Sequence, residues 1–234
     1  MTTYMPKEAS ENMPVAILMH GIMANKNMHP IKLLGKTLAE AGIAAVSFDF
    51  NGHGRSYGKF RDMTIPNEVE DAIAVFNYLK AQKEFGKIFM VGHSQGGVVA
   101  SLCAGQLKDE LAGVILLAPA AVVYDDMNNG CIMGKSFDPV NPPDSICVML
   151  HQLGKGYILA GQKLDIYGEI SKYSGPLCVM HGTQDKIVPD TYAMKYNTVC
   201  AQAKLMIFDN ENHMFSADKA RMTNHVLDFL KPLI

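Results

Sequence analysis

The stretch Ile88-Phe-Met-Val-Gly92-His-Ser94-Gln-Gly96-Gly-Val-Val-Ala-Ser-Leu102 decides the fold. Its first four residues form an unbroken apolar run, and Val98, Val99 and Leu102 then recur at helical spacing, so a strand passes into a helix across Gly92 to Gly96. A serine at the apex of so sharp a turn needs flanks without side chains. Glycines two before and two after it let the backbone fold tightly and the helix close on the sheet. The order of strand, G-x-S-x-G and helix is the one that presents a nucleophilic serine at the edge of a sheet.

Working outward, similar runs occur at Val15 to Met19, Ala44 to Phe48, Val114 to Leu117, Leu177 to Met180 and Leu205 to Phe208. Strands that are apolar throughout are covered on both faces, which predicts a mostly parallel twisted sheet flanked by helices, an α/β fold. Ile31, Leu34 and Leu38 mark one helix that ends at Ala41-Gly42; Val69, Ile73, Phe76 and Leu79 mark another after Pro66-Asn67. Later helices are expected over about residues 190–199 and 217–230. From Ala121 to Tyr173 the alternation stops and Gly, Pro, Asn and Asp accumulate. About fifty residues is too long for an ordinary connection, so 121–173 reads as a cap, or lid, inserted into a single domain of 1–234. The apolar runs Cys147-Val-Met-Leu150 and Tyr157-Ile-Leu-Ala160 favour burial over a disordered linker.

Composition removes several function classes. The 234 residues carry 21 basic and 23 acidic side chains, a net charge of −2, which leaves no footprint for nucleic acid or an anionic membrane. With 48% hydrophobic and 19% charged residues the chain is too apolar for disorder, and its apolar runs are far short of a membrane span. Met1-Thr-Thr-Tyr-Met-Pro-Lys-Glu lacks the basic and apolar regions of a secretory signal, so the protein reads as cytoplasmic with reduced cysteines. The five cysteines form no CxxC pair and the eight histidines no HxH or HxxxH pair, so no metal site is expected, and the serine chemistry needs no cofactor.

A serine hydroxyl is a weak nucleophile until a base takes its proton, and in this kind of fold the partners follow in the order Ser, acid, His. His181-Gly-Thr-Gln-Asp185 comes just after the Leu177 strand, and Asn210-Glu-Asn-His213 just after the Leu205 strand. Both lie at carboxyl ends of strands, where the sites of open parallel sheets gather. Ser94, Asp185 and His213 are therefore the candidate triad, with Asp190, Asp209 and Glu211 as rival acids. The oxyanion needs two N–H donors, for which the backbones of Gln95 and Ile22 are placed, the latter in His20-Gly21-Ile22-Met23. His20 and His93 read as packing residues, and Asp49-Phe-Asn-Gly-His-Gly54 as a turn.

His20-Gly21 with Asn25-Lys26-Asn27, Phe48 to Gly54, Val91-Gly-His-Ser-Gln-Gly-Gly-Val-Val-Ala100, Leu116-Leu-Ala-Pro-Ala-Ala121 and His181-Gly-Thr-Gln-Asp185 together resemble the α/β-hydrolase superfamily. More narrowly, they resemble the bacterial cinnamoyl (feruloyl) esterases. The resemblance implies a serine carboxylesterase acting on feruloyl, coumaroyl or caffeoyl esters, whose partner is a small aromatic ester, with a homodimer left open. It implies Ser94, Asp185 and His213 as the triad and Ile22 and Gln95 as the oxyanion hole. It also assigns Asp126 and Tyr157 of the cap to the phenolic hydroxyl, with Asp125 in place of Asp126 under a one-residue shift. It implies an antiparallel strand pair before the first parallel strand, but only about fourteen residues are available here, so a hairpin there must be short or missing. The alternatives are a broad short-chain esterase or monoacylglycerol lipase, and a non-catalytic binding protein of the same fold.

Overall fold

From Val15 to Met19 every side chain is sealed from solvent, yet successive residues enter different cores. Val15, Ile17 and Met19 pack on one face of the sheet, Ala16 and Leu18 on the other. This period-two division of an all-apolar run is what a strand sandwiched between helices requires. In the computed structural model, which describes residues 1–8 and 11–234, this strand, β2 (Met13–Met19), lies near the middle of a seven-stranded sheet.

The other strands of the sheet are β1 (Thr2–Tyr4), β3 (Ala44–Ser47), β4 (Phe85–His93), β5 (Gly113–Leu117), β10 (Leu177–Gly182) and β11 (Lys204–Phe208). Their spatial order is β1-β3-β2-β4-β5-β10-β11, and every pairing is parallel except that of β1 with β3. One face is covered by α1 (Ile31–Glu40) and α8 (Lys219–Leu230) through Ile31, Leu34, Leu38, Met222, Val226 and Leu230. The other is covered by α2 (Ile65–Lys80), α3 (Gln95–Leu107) and α7 (Thr191–Val199). The chain runs from β2 outward to β3, then returns to place β4 on the other side of β2. That reversal opens a crevice at the carboxyl ends of β2 and β4, where His20-Gly21 and His93-Ser94 emerge.

Local chemistry fixes the helix ends. At the start of α2 the Thr64 hydroxyl accepts the Asn67 N–H (3.3 Å) and the Asn67 amide oxygen accepts the Thr64 N–H (2.7 Å), a reciprocal cap. At the end of α1 the left-handed Gly42 lets Ile43 N–H return to the Leu38 carbonyl at 2.9 Å.

The structure bears out one expectation about the N-terminus and departs from another in the cap. As the few residues before the first parallel strand require, no full N-terminal strand pair stands there among the described residues: a single three-residue strand, β1, pairs antiparallel with β3, and β2 already begins at Met13. Between β5 and β10 stand α4 (Val122–Asn129), the hairpin β6–β7 (Cys131–Ile132, Lys135–Ser136), the hairpin β8–β9 (Ser145–Val148, His151–Gly154), α5 (Lys155–Gly161) and α6 (Ile166–Ile170). Val148, Tyr157 and Ile158 are buried, as their apolar character demands, but Met149 and Leu150 are 72% and 95% exposed. The run 147–150 spans the turn of the β8–β9 hairpin, so its last two residues form the tip instead of entering a core.

Two glycine substitutions separate crowding from conformation. A Cβ on Gly92 would stand 2.0 Å from the Gly96 carbonyl oxygen, whereas one on Gly42 meets nothing within 4 Å and suffers only from its φ of +86°. Gly42→Ala should cost about 1–2 kcal/mol in urea unfolding, while Gly92→Ala should cost more than about 3 kcal/mol or prevent folding.

Candidate active site

Ser94 stands between β4 and α3 at φ +56° and ψ −121°, a region that non-glycine residues avoid. Its backbone is fixed from both sides. The N–H donates to the Leu117 carbonyl (2.9 Å), and its own carbonyl accepts from Gly97 (2.9 Å) and Ala120 (3.1 Å). Glycines make room for this turn: besides Gly92, a Cβ on Gly96 would fall 2.5 Å from the Met19 carbonyl oxygen, and one on Gly21 would fall 2.9 Å from Ser94 Cβ. The loop after β2 thus lies directly against the serine.

Asp185 and His213 meet across the loops that follow β10 and β11. His213 Nδ1–H donates to Asp185 Oδ2 at 2.6 Å. His181 Nε2–H is shared between that oxygen (3.1 Å) and the Val188 carbonyl (2.9 Å), and Asp185 Oδ1 accepts from the Ile187 and Val188 N–H groups at 2.8 and 2.9 Å. Burial by itself would raise this carboxyl, but the bonds from His181 and His213 outweigh it and hold it far below the usual carboxylate range. The Asp185–His213 contact thus leaves the imidazole Nε2 as the ring's acceptor. His93 steadies the same histidine from behind: its Nε2–H donates to the His213 carbonyl at 2.8 Å, and burial pushes His93 down to about 3, so that it stays neutral. The rival Glu211 spends its carboxylate on the N–H groups of Asn212, Ala217 and Asp218 in its own loop.

The N–H groups of Ile22 and Gln95 donate to no protein acceptor among the described residues, and both residues border one cavity of about 460 Å³ with Ser94. Asp126 and Tyr157 line the same cavity, with Val122, Val123, Ile132, Met149 and Ile187 as apolar wall. Asp126, not Asp125, faces it; Asp125 accepts from the Tyr192 hydroxyl at 2.6 Å. Burial and the neighbouring Asp125 raise the Asp126 carboxyl to about 6. Tyr157 is more constrained than the sequence suggests. Its O–H donates to Gln95 Oε1 at 2.7 Å, so its oxygen can offer a ligand only an acceptor.

His20 is a packing residue, as expected: Nδ1–H donates to the Gly21 carbonyl (2.8 Å) and Nε2 accepts from Phe50 N–H (3.2 Å), while burial lowers it to about 4. The segment after β3 is indeed a turn, knotted by Asp49, which accepts from the Lys26 ammonium and from the N–H groups of Lys26 and Arg55. Sequence reasoning missed His181, His53 and Glu68. Of these only His181 carried a signal, its place four residues before Asp185. The other two lie far along the chain from the residues they serve.

Residues 11–137, more than half of the chain, match the Hydrolase_4 family, described as serine aminopeptidase S33. The chain belongs to this family of α/β-hydrolases. Among solved structures the chain is similar to Est1E from Butyrivibrio proteoclasticus with ferulic acid bound, with a TM-score of 0.96 and 30% identity over 99% of this chain and 94% of that one. Among curated relatives it is 27% identical to human protein ABHD12B over 81% of this chain and 51% of that protein. It is 24% identical to the lysophosphatidylserine lipase ABHD12 of Xenopus tropicalis over 83% and 49%. The chain spans about half the length of these two relatives. No helix among the described residues is long and apolar enough to cross a membrane.

Asp185→Asn keeps the shape of the acid but can leave His213 in the wrong tautomer. The rate of Ser94 labelling by a fluorophosphonate should fall by about three to four orders of magnitude, with the fold intact by circular dichroism.

Proposed function

We propose that the protein is a serine carboxylesterase for hydroxycinnamate esters, and that Ser94, His213 and Asp185 carry the reaction. The observation that carries this reading is the Asp185–His213 pair facing the same strand ends as the strained Ser94, beside two uncommitted N–H donors. His213 Nε2 takes the Ser94 proton as Oγ attacks the ester carbonyl carbon. The oxyanion receives the N–H groups of Ile22 and Gln95, which border the cavity with Ser94 and have no protein acceptor to give up. The C–O bond to the alcohol breaks as His213 returns the proton to the leaving oxygen. A water deprotonated by the same imidazole then attacks the acyl-enzyme, and the free acid departs with Ser94 reprotonated.

The acyl group is assigned to the cavity under the 121–173 cap. Its wall is mostly apolar, as an aryl-propenoyl group needs, and its polar groups include the raised carboxyl of Asp126, the acceptor oxygen of Tyr157 and the ammonium-bearing Lys186. The first two can accept a hydrogen bond from a phenol. The likeness to the ferulic-acid-bound Est1E over nearly the whole chain supports this acyl class. A second reading, a lipase or short-chain esterase, is favoured by the relation to the ABHD12 lipase and by the aliphatic wall of Val122, Val123 and Ile132.

Ser94→Ala should abolish turnover, and kcat/KM for methyl ferulate should exceed that for methyl butyrate by about a hundredfold, or about 2.7 kcal/mol of transition-state discrimination. Equal rates would favour the second reading. Asp126→Ala should raise KM for methyl ferulate by about tenfold, and leave that for methyl cinnamate, which has no phenol, within about twofold. Because the Asp126 carboxyl titrates near 6, the advantage of the phenolic ester should grow as pH rises through about 6, when the stronger, ionised acceptor forms.

A further inference from the structure

Glu68, in the first turn of α2, is a carboxylate-bearing side chain only 1% exposed, in a part of the core that the reaction above does not use. Its Oε2 accepts from Gln95 Nε2 at 2.7 Å. The other oxygen, Oε1, is sealed from solvent without a hydrogen-bond partner and faces His53 Nδ1 at 3.7 Å, beyond bonding distance. His53 has its own task. Its Nδ1–H donates to the Asn51 carbonyl at 3.1 Å and its Nε2 accepts from the N–H of Met23, the residue after Ile22, at 3.3 Å. The carboxyl group thus lies between the two loops that present the uncommitted N–H donors. On one side it grips the Gln95 side chain, whose Oε1 is in turn held by Tyr157 of the acyl cavity. On the other it packs against the histidine that secures the Gly21–Met23 loop.

We propose that Glu68 is a positioning residue of the oxyanion hole, clamping the Gln95 and Ile22 loops so that their N–H groups converge. The proposal rests on the serine-esterase reading and adds to it a residue outside the triad and the cavity. The helix dipole favours an acid in the first turn only modestly, and only when it is ionised, whereas burying an acid here is costly unless it is bonded. The amide of Gln95 accounts for one oxygen only.

The charge state of the clamp matters as much as its geometry. Burial, with the like charge of Asp71 adding to it, pushes the Glu68 carboxyl up to about 8, so it is neutral at pH 7. The titratable groups around it are His53 from the loop after β3, Asp71 further along α2 and Tyr157 from α5. Burial holds His53 below its ordinary value and Tyr157 well above its own, and Asp71 is bonded to the N–H and the amide of Asn51 at 2.8 and 2.9 Å. A neutral acid beside the hole leaves the developing oxyanion undisturbed. As pH passes about 8 a buried carboxylate forms there, repels the oxyanion and weakens only the transition state, so kcat falls while KM holds.

The test uses the full chain, with kcat and KM for methyl ferulate measured from pH 6 to pH 10 and a Ser94→Ala blank subtracted. Fluorophosphonate labelling of the wild type at Ser94 establishes the parent reading independently. The wild type should lose about tenfold in kcat across the alkaline limb. Glu68→Ala should lower kcat by at least about tenfold at pH 7 with KM within about threefold, a split that general loosening of the fold would not produce. Glu68→Gln, the uncharged isostere, should recover most of that loss and show no alkaline limb. Glu68→Gln with the wild-type limb, or a folded Glu68→Ala with wild-type kcat, would overturn the clamp while labelled Ser94 keeps the esterase reading. Should Glu68→Ala fail to fold, the pH profile of Glu68→Gln decides alone. A wild type that is neither labelled nor active would sink the esterase reading and this proposal together.

Discussion

A serine forced into a left-handed backbone conformation can persist only if its surroundings leave nowhere else to go, and the middle of this molecule is arranged around that need. Ser94 is bonded through its N–H to β5 and through its carbonyl to the residues that open the next segment. Gly96 brings α3 against the carbonyl of Met19 at the end of β2, and Gly21 brings the following loop against the serine itself. A strain of about 1–3 kcal/mol is small against such packing, but it ties the serine to three neighbouring strands at once. Position at the site is therefore a property of the sheet and not of a flexible loop.

Electrostatics at this edge follow from burial. Histidines 20, 53 and 93 are all pushed down by desolvation, which makes them neutral hydrogen-bonding blocks that fix loops rather than move protons. Asp185 is the opposite case: buried, it stays ionised because four hydrogen bonds from His181, His213, Ile187 and Val188 converge on it. One carboxylate, saturated by donors, thus holds two imidazoles, those of His181 and His213.

The fold was legible because its information is local. Apolar runs such as Val15–Met19 and helical spacings such as Ile31-Leu34-Leu38 each state their own burial, and G-x-S-x-G joins one to the other. Of the residues that line the cavity with Ser94, Ile22, Gln95, Asp126 and Tyr157 were also readable, since each follows a strand or falls in the long insertion. What escaped was set by contacts distant in sequence. Glu68 looks like any acid opening a helix until Gln95 is placed beside it, and His53 looks like part of a turn until Met23 arrives thirty residues upstream of it. The Met149-Leu150 pair misled in the other sense, because hydrophobicity says nothing about which apolar run a hairpin turn will expose.

The bond from Tyr157 to Gln95 also bears on how such a chain can diverge. Fifty residues inserted between two strands would ordinarily be an exchangeable part, free to be swapped or rebuilt while the sheet keeps its chemistry. Here one buried hydroxyl of that part satisfies an amide oxygen belonging to the helix that follows Ser94. A replacement that lost it would strand a polar atom in the interior at about 1–3 kcal/mol. Changes of substrate taste in this lineage must then proceed around a fixed joint, by altering the walls of the cavity while keeping the tyrosine, or by replacing tyrosine and glutamine together.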